Sequence, residues 1–434
     1  MERKLTLQEK VQAFIKRQPR TSGKTVSIII AVLAVIVFGA GIVGNALNKN
    51  ATSSVSEYNG GKLVKGTVVG DMMLGRSITN KGSKNNYKNM FSGVSDLWKD
   101  SDYVAGNLEC VLLDNASDYE ENDKEIHINA ETKTANVLKE NGFTLVSLAN
   151  NHLADFKAKG VVNTLDTLDK VGLKHVGAGR NLTEAAEYDM QEINGVKIAT
   201  IAVSDIIPKD FAARDSKAGI LTTKTLKYYQ AVKDASEKAD LVIANIHWGV
   251  EYGMTETEAQ QQLARNLINW GVDVVIGSHP HVLQPVEKYG DGIIFYSMGN
   301  FVFDQGWSRT KDSMVLNYYV DEDGNCSFEI TPIRIKDGYP EVTNNAFFKK
   351  RTYRTLTKNL KDSDYEVKSN TLLMKNAIKI DLNKNNQTDA NADNTDVSNG
   401  INTTSDINNT SLESSLLSNV NLSVDSIIPR VKIG

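Results

Sequence analysis

Between Lys62 and Ile335, short runs of β-branched residues alternate with patterns typical of amphipathic helices. A strand–helix–strand order of this kind indicates sheets that carry helices on their outer faces. Residues 313–335 instead alternate apolar and polar side chains across an Asp-Gly turn, which predicts an antiparallel hairpin. We therefore expect an α/β domain with mixed sheets over 62–345. The six strand-like runs are 63–70, 143–149, 196–204, 240–248, 272–278 and 292–298.

Three helical patterns fall between these runs. Those at 132–142 and 161–172 each end at a glycine, a residue that commonly follows the last helical turn. The third, 255–271, begins with a Thr255/Glu258 capping box and ends at Gly271. Beyond the domain, residues 346–382 are expected to form a C-terminal extension.

An uncharged stretch of 24 residues separates Lys24 from Lys49. A helix needs about 20 apolar residues to cross a bilayer, whereas the apolar part of a signal peptide is usually about 7–15 residues long. No clear cleavage site follows, although a cleaved signal remains the alternative. We predict a transmembrane helix at 26–46, preceded by a basic segment at 1–25 and followed by a linker at 47–61.

Charge predicts the orientation of this helix. Residues 1–26 contain seven Lys or Arg and two Glu, and basic flanks stay in the cytoplasm. We expect a single-pass protein of the cell membrane whose main domain is extracellular, and the part of the chain after residue 26 carries a net charge of −9. The overall net charge of −4 argues against nucleic acid as a partner. Two cysteines cannot form a disulfide framework or a thiolate metal cluster.

The C-terminal tail has a different composition. No aromatic residue follows Tyr365, and 11 of the 39 residues between Asn383 and Asn421 are Asn, with Ser, Thr and Asp making up much of the rest. Such a segment cannot bury enough apolar surface to offset its ordering entropy. We predict a disordered polar tail at 383–434.

Polar residues follow the predicted strands at the point where each strand ends. In open α/β sheets, ligands bind at the carboxyl ends of the strands, so five such segments together predict one shared site. Taken singly, each has a plainer explanation, such as a helix N-cap or an Asx turn. The residues are Asp71, Asn150, Asn151, His152, His247, His279, His281 and Asn300.

The residue types at these positions indicate a metal. Imidazoles, carboxylates and an amide oxygen form a mixed nitrogen and oxygen set that suits Zn²⁺, Mn²⁺ or Fe. A shared carboxylate can bridge two ions, so one or two ions are expected. The candidate ligands are Asp71, Glu109, Asn151, His247, His279 and His281.

Six motifs carry a family resemblance. The chain resembles the CapA-type family of poly-γ-glutamate capsule biosynthesis, with a particular likeness to the membrane-anchored subunit of the poly-γ-glutamate synthase of bacilli. The family is similar in turn to calcineurin-like metallophosphoesterases. The motifs are GDMMLGR (70–76), NLE (107–109), ANNH (149–152), HWGVEY (247–252), GSHPHV (277–282) and YSMGNFVFDQ (296–305).

The resemblance implies a four-layer α/β/β/α sandwich of the metallophosphoesterase type with a dinuclear metal site. It implies that the six candidate ligands bind metal and that His152 and Asp71 are catalytic, with His152 as the acid. One position departs from the phosphoesterase pattern Asp-x-His, because Met73 follows Asp71-Met72. A site of Glu109, Asn151, His247 and His279 is then complete, and a site of Asp71, Glu109 and His281 lacks a ligand. Candidate substrate-binding residues are Arg76, His127, Glu251, Tyr252 and Asn300.

For function, the resemblance implies a role in making or exporting poly-γ-glutamate. The implied partners are membrane-embedded and ligase subunits of a synthase, the membrane and the anionic polymer. No GxxxxGK[ST] phosphate-binding loop occurs in the sequence, so ligation is expected of another subunit. Two alternatives stay open, a cell-surface metal-dependent phosphoesterase or amidase and a metal-free scaffold, so whether the chain is an enzyme is open too. Because the domain is acidic, polymer binding requires a local cationic feature, for which bound metal and Arg76 are candidates.

Overall fold

The structure is a computed structural model, and it describes residues 56, 58–82, 84, 87–368 and 370–382. The predicted transmembrane helix at 26–46, the basic segment before it, most of the linker and the tail from 383 lie outside the described residues. Within the described ranges, none of the helices combines the length and hydrophobicity needed to cross a membrane.

A mixed ten-stranded sheet forms one half of the domain. Its strand order is β19-β20-β17-β16-β1-β2-β5-β6, with β15 beside β1 and β18 beside β17. Strand β1 divides it, because β2, β5 and β6 follow in parallel while β16, β17 and β20 run antiparallel to their neighbours. The strands are β1 (Val64–Met72), β2 (Tyr103–Leu108), β5 (Leu145–Ser147), β6 (Lys174–Val176), β15 (Asn300–Val302), β16 (Asp312–Val320), β17 (Asn325–Lys336), β18 (Tyr339–Val342), β19 (Glu366–Val367) and β20 (Leu372–Lys379).

A six-stranded sheet forms the other half, in the order β13-β14-β12-β11-β9-β8. Its four central strands are parallel and its two edge strands are antiparallel. The strands are β8 (Asp189–Ile193), β9 (Val196–Ser204), β11 (Leu241–His247), β12 (Val274–Ser278), β13 (Val286–Tyr289) and β14 (Gly292–Phe295). Two further pairs join β3 (Val111–Leu112) to β4 (Asn129–Ala130) and β7 (Ala178–Gly179) to β10 (Gly219–Ile220).

The predicted helices at 132–142, 161–172 and 255–271 are confirmed as α2 (Thr134–Glu140), α3 (Lys157–Val171) and α6 (Glu258–Asn269). The predicted capping box is wrong by two residues: Thr257 caps α6 by accepting from the Gln260 amide, and the Gln260 side chain accepts from the Thr257 amide. The carbonyl of Thr255 accepts instead from Gln284 Nε2. The α-helices are α1 (Arg76–Gly82), α2 (Thr134–Glu140), α3 (Lys157–Val171), α4 (Leu182–Ala185), α5 (Leu226–Lys238), α6 (Glu258–Asn269) and α7 (Ala346–Leu356). Short 3₁₀ turns lie at Ser95–Leu97, Ala116–Asp118, Thr357–Asn359 and Asp362–Asp364.

The apolar core lies in three layers, because successive residues of a strand face opposite sides of a sheet. Val68 faces an apolar layer shared by the two sheets, which also contains Ile243 of β11. Val69 faces the other way, into a layer with Leu165 of α3. On the second sheet, Ala244 packs into a layer with residues of α5 and α6. The order of layers is helix, sheet, sheet, helix.

Residues 346–382, predicted from the sequence to form a C-terminal extension, belong to this domain. Strand β20 pairs with β17 inside the first sheet. Leu356, Leu372 and Met374 are fully buried in the layer between the two sheets. Burial of these side chains makes the segment part of the core, so the domain continues to Leu382.

Candidate metal centre

The carboxyl ends of strands from both sheets meet at one place. Asp71 is the next-to-last residue of β1, and Glu109 directly follows β2. His247 ends β11, and His279 follows β12. The His279 amide donates to Asp71 Oδ2 (3.2 Å), which joins the two sheets directly. The predicted convergence of strand-end residues is therefore present.

Asp71, Glu109 and His247 form the first donor set. One ligand-type atom from each lies within 4.8 Å of the others, and all three side chains are buried. Asn107 links the carboxylates, since its Nδ2 donates to Asp71 Oδ1 (2.9 Å) and to Glu109 Oε2 (3.2 Å). Sequence reasoning missed Asn107, although its position two residues before Glu109 at a strand end places both side chains on one face.

Glu251, His279 and His281 form the second donor set, with atoms again within 4.8 Å of one another. Glu251 is predicted from the sequence to bind substrate, whereas the structure brings its carboxylate to the two imidazoles. Met73, which stands where the resemblance implies a histidine, is fully buried in the apolar layer beside the helices. The second set therefore has no histidine from position 73, and it contains instead the Glu251 carboxylate from the loop after β11.

The His-Pro-His turn has an unusual backbone. His279 has a φ of 94° and His281 a φ of 57°, and both angles lie in the left-handed region that residues with a Cβ rarely adopt. Such strain persists only where the surroundings enforce it, and it clusters at functional sites. Pro280 between them fixes its own φ and keeps the turn rigid.

Second partners orient two of the imidazoles. His247 Nδ1 lies 2.9 Å from Ser278 Oγ, and that hydroxyl donates to the Ile246 carbonyl (3.3 Å), so it is free to accept from Nδ1–H. His281 Nδ1 donates to Asn300 Oδ1 (2.9 Å). In the His281 ring Nε2 is then the nitrogen with the free lone pair, as a metal ligand requires, whereas His247 Nε2 faces Asn151 Oδ1.

Asn300 does not serve as a substrate contact in this structure. It is fully buried, and its Nδ2 donates to Gln305 Oε1 (3.0 Å) and to the Thr310 carbonyl (3.2 Å). Because both ends of its amide are engaged within the protein, Asn300 orients His281. Asn151, a predicted ligand, has its Oδ1 2.8 Å from His247 Nε2 and so lies at the first donor set.

Two buried polar atoms of the cluster lack a hydrogen-bond partner among the described residues. They are Glu109 Oε1 and His279 Nδ1. Buried polar atoms are nearly always satisfied, so an unsatisfied one at a cluster of ligand-type side chains indicates a position where another group binds. Carboxylate oxygens and neutral imidazoles suit Zn²⁺, Mn²⁺ or Fe. The residues present therefore fit a divalent metal.

Burial governs the charge of the cluster. It raises the pKa of Asp71 to about 7 and, together with the nearby Asp71 carboxylate, raises the pKa of Glu109 well above its usual value. Burial lowers the pKa of His279 to about 4 and that of His281 to about 3, and it also lowers the pKa of His247. Without a cation the site disfavours carboxylate charge and keeps the imidazoles neutral.

His152 belongs to a separate network beside the donor sets. Its Nδ1 lies 2.8 Å from Asp155 Oδ2, and Lys124 Nζ donates to Asp155 Oδ1 (2.7 Å) and to the Asn151 carbonyl (2.6 Å). Asp155 is fully buried, and burial lowers the pKa of His152 while Asp155 opposes that shift. Sequence reasoning missed Asp155 and Lys124, which no strand-end rule indicates.

The other predicted substrate residues lie in different places. Arg76 donates to Asp304 Oδ1 (2.5 Å) at the rim. Tyr252 is partly exposed, with its ring centroid 6.2 Å from that of His281. His127 is not brought to the donor sets, because it contacts the Asn122 carbonyl, Glu121 and Phe156 instead.

Comparisons with known proteins agree on one family. Residues 65–305, which include both donor sets, match the bacterial capsule synthesis protein family PGA_cap. The chain is 38% identical to the capsule biosynthesis protein CapA of Bacillus anthracis, over 85% of this chain and 92% of that protein. It is 37% identical to the PGA biosynthesis protein CapA of Bacillus subtilis, over 82% and 93%. A 5'-nucleotidase from Candida albicans superposes with a TM-score of 0.38 and 12% identity, over 68% of this chain and 55% of that one, a similarity too low to support an argument.

Proposed function

The chain belongs to the family of bacterial capsule synthesis proteins, and we propose that it is the membrane-anchored, extracellular component of a poly-γ-glutamate synthase. Its relatives in Bacillus anthracis and Bacillus subtilis are named for capsule and PGA biosynthesis. The match spans more than nine-tenths of each relative, which supports a shared role for the whole chain rather than for one module.

The proposal includes a divalent metal centre that acts on or handles the polymer. The observation that carries it is the pair of unsatisfied buried atoms, Glu109 Oε1 and His279 Nδ1, within two sets of ligand-type side chains. Asp71, Glu109 and His247 would hold one ion, with Asn151 beside them. Glu251, His279 and His281 would hold a second. A bound ion supplies a polarised carbonyl or an acidified water.

The chain's own residues would then orient the polymer and donate a proton to the leaving group. Asp155 holds the Nδ1 side of His152, which leaves Nε2 as the nitrogen available to donate a proton to a leaving group. Lys124, bound to Asp155 and to the Asn151 carbonyl, keeps His152 and Asn151 in fixed relation. The same arrangement suits the alternative function, a cell-surface metal-dependent hydrolase of a phosphoester or an amide.

The anchor and the location are part of the proposal. The uncharged stretch at 26–46 and its basic N-terminal flank support a single-pass protein with a cytoplasmic N-terminus. The domain would then bind the polymer as it leaves membrane-embedded subunits, while a cytoplasmic ligase subunit would synthesise the polymer.

Complementation tests the proposal. A poly-γ-glutamate-producing strain that lacks this component is supplied with the wild-type chain or with His247→Ala/His279→Ala, and surface polymer is measured. We expect the wild type to restore polymer and the variant, at equal membrane abundance, to restore less than about a tenth. Failure of the wild type would refute the assigned function, and full restoration by the variant would refute the role of the metal centre.

A further inference from the structure

The segment 344–361 has an unusual charge for this acidic chain. It contains six Lys or Arg and no acidic residue, and it lies beyond the family match at 65–305. Helix α7 occupies most of it, followed by the 3₁₀ turn Thr357–Asn359. The segment is therefore a concentrated positive feature on a domain of net negative charge.

Three of its cations form a row on the surface. Lys350 and Arg354 are four residues apart on α7, and Lys358 follows after four more in the 3₁₀ turn. All three are exposed, and within the described residues none forms an ion pair. Like charges at this spacing destabilise a helix, so the row does not serve the fold. It suits an anionic ligand with repeated charges.

Exposed apolar side chains are concentrated next to this row. In the described part of the chain nine large hydrophobic side chains are exposed, and five of them lie on three segments that contact one another. The Tyr252 and Trp307 rings meet edge to face with centroids 5.4 Å apart. Arg351 stacks over Phe347 and donates to the Ser308 carbonyl (3.1 Å), which connects α7 to the Trp307 loop. The five are Val250, Tyr252, Met254, Trp307 and Phe347.

This surface reaches the metal centre. The ring centroid of Tyr252 is 6.2 Å from that of His281. A cavity of about 340 Å³, whose lining includes Tyr252, Gln305 and Trp307, opens beside it. At the other end, Lys358 Nζ donates to Thr255 Oγ1 (3.4 Å), so the row is attached to the loop that carries Tyr252.

We propose that the five exposed apolar residues and the row Lys350, Arg354 and Lys358 form one binding surface, the basic-aromatic surface, for an extended polycarboxylate chain. In γ-linked polyglutamate the pendant carboxylates would pair with the row and the main-chain methylenes would lie on the rings. The identity of the polymer rests on the proposed function; the polycarboxylate class rests on the surface alone. Arg76, a candidate for this role from the sequence, is already paired with Asp304.

Charge-reversal variants of the full-length chain in nanodiscs test the proposal. Binding of fluorescent poly-γ-glutamate is measured for the wild type and for Lys350→Glu/Arg354→Glu/Lys358→Glu. The matched control Lys99→Glu/Lys174→Glu/Lys288→Glu changes net charge equally at exposed lysines near the amino ends of strands β2, β6 and β14. We expect the row variant to bind at least about tenfold more weakly and the control to stay within about twofold.

A second variant tests the apolar part. Trp307→Ala/Phe347→Ala removes two exposed rings and no charge, so we expect a loss of about three- to tenfold with an unchanged dependence on salt. Methyl-esterified polymer, which keeps the main chain and lacks the charge, should not bind measurably. Circular dichroism of each variant should match that of the wild type, because these side chains are exposed.

Three results would overturn the proposal. They are equal loss in the row and control variants, no loss in either, and protection of α7 from hydrogen exchange by phosphatidylglycerol nanodiscs but not by polymer. The last would identify a membrane-docking surface instead. The binding assay needs neither metal nor synthase partners. If complementation fails but polymer binding depends on the row, only the proposed function is refuted. If complementation succeeds but polymer binding does not depend on the row, only the basic-aromatic surface is refuted.

Discussion

Glu109 Oε1 lies 3.7 Å from His281 Nε2 at the junction of the two donor sets. The separation is too long for a hydrogen bond and close to the roughly 3.4 Å that tetrahedral geometry gives two ligands of one zinc ion. Glu109 comes from the end of β2 and His281 from the turn after β12, so each sheet contributes one atom. The fold thus brings together a carboxylate and an imidazole that a cation between them would stabilise.

Glu109→Gln should separate the stability of the fold from metal binding. Replacing an unsatisfied buried carboxylate by a neutral amide should raise the free energy of unfolding of the chelator-treated chain by about 1 kcal/mol. The same change should abolish the rise in Tm that Mn²⁺ or Zn²⁺ gives the wild type. Glu341→Gln, in a half-exposed pair with Lys336, is the control and should alter neither quantity. A full metal-induced rise in Tm in Glu109→Gln would contradict the role of this carboxylate.

Metal affinity should fall as pH decreases below 7. Burial gives Asp71 a pKa of about 7, so above that pH its carboxylate is ionised, and below it an incoming ion must displace a proton. His279 and His281, with pKa values of about 4 and 3, stay neutral over this range and add no change. Calorimetry at pH 8 and pH 6 should show at least about a tenfold weaker affinity at pH 6, with more protons released, because the raised pKa of Glu109 can only add to the loss. Equal affinities at the two pH values would contradict this assignment.

Asp155→Asn should destabilise the chain through Lys124. The substitution leaves an ammonium that is 17% exposed without its carboxylate, which we expect to cost about 2–3 kcal/mol in urea unfolding. Lys124→Met/Asp155→Asn should recover part of this loss, because neither charge then remains. The exposed pair Lys157–Glu120 is the comparison, and its removal should cost less than about 1 kcal/mol. If the losses of stability caused by Lys124→Met and by Asp155→Asn, measured singly, sum to the loss in the double variant, the two side chains are not coupled.

Truncation after residue 345 should prevent folding. It removes β20, whose Leu372 and Met374 are fully buried between the sheets, and leaves an edge of β17 unpaired. A chain that ends at Leu382 should retain the Tm and protease resistance of the full-length protein. Cooperative unfolding of the 1–345 chain at the wild-type Tm would show that the segment is dispensable.

Local patterns in the sequence predict much of this domain and part of its centre. The runs that become β9, β11 and β12 are recognisable because buried parallel strands are continuously apolar. The strand-end rule selects Asp71 and His247 because both belong to, or directly follow, such runs. The order of ten strands in the first sheet depends on non-local pairing that no local pattern specifies. Strand β20 in particular follows a segment in which apolar and polar residues do not alternate as they do in a strand.

The residues that sequence reasoning misplaces share one cause. Glu251 lies in an exposed loop, so only the folded chain reveals that its carboxylate reaches His279 and His281. Asp155 and Lys124 meet from separate loops, and Asn300 is recognised as an orienting residue only from its bond to His281. In each case the role depends on which loops the two sheets bring together.

The metal content of the purified chain shows whether the two donor sets bind a divalent ion. The full-length chain, purified without added metal or chelator, is compared by elemental mass spectrometry with His247→Ala/His279→Ala and with His127→Ala/His175→Ala, whose histidines lie outside the donor sets. Stoichiometric Zn, Mn or Fe in the wild type and the control, lost in the first variant, is the predicted result. A folded wild-type chain that carries no metal and binds none on titration would contradict the account.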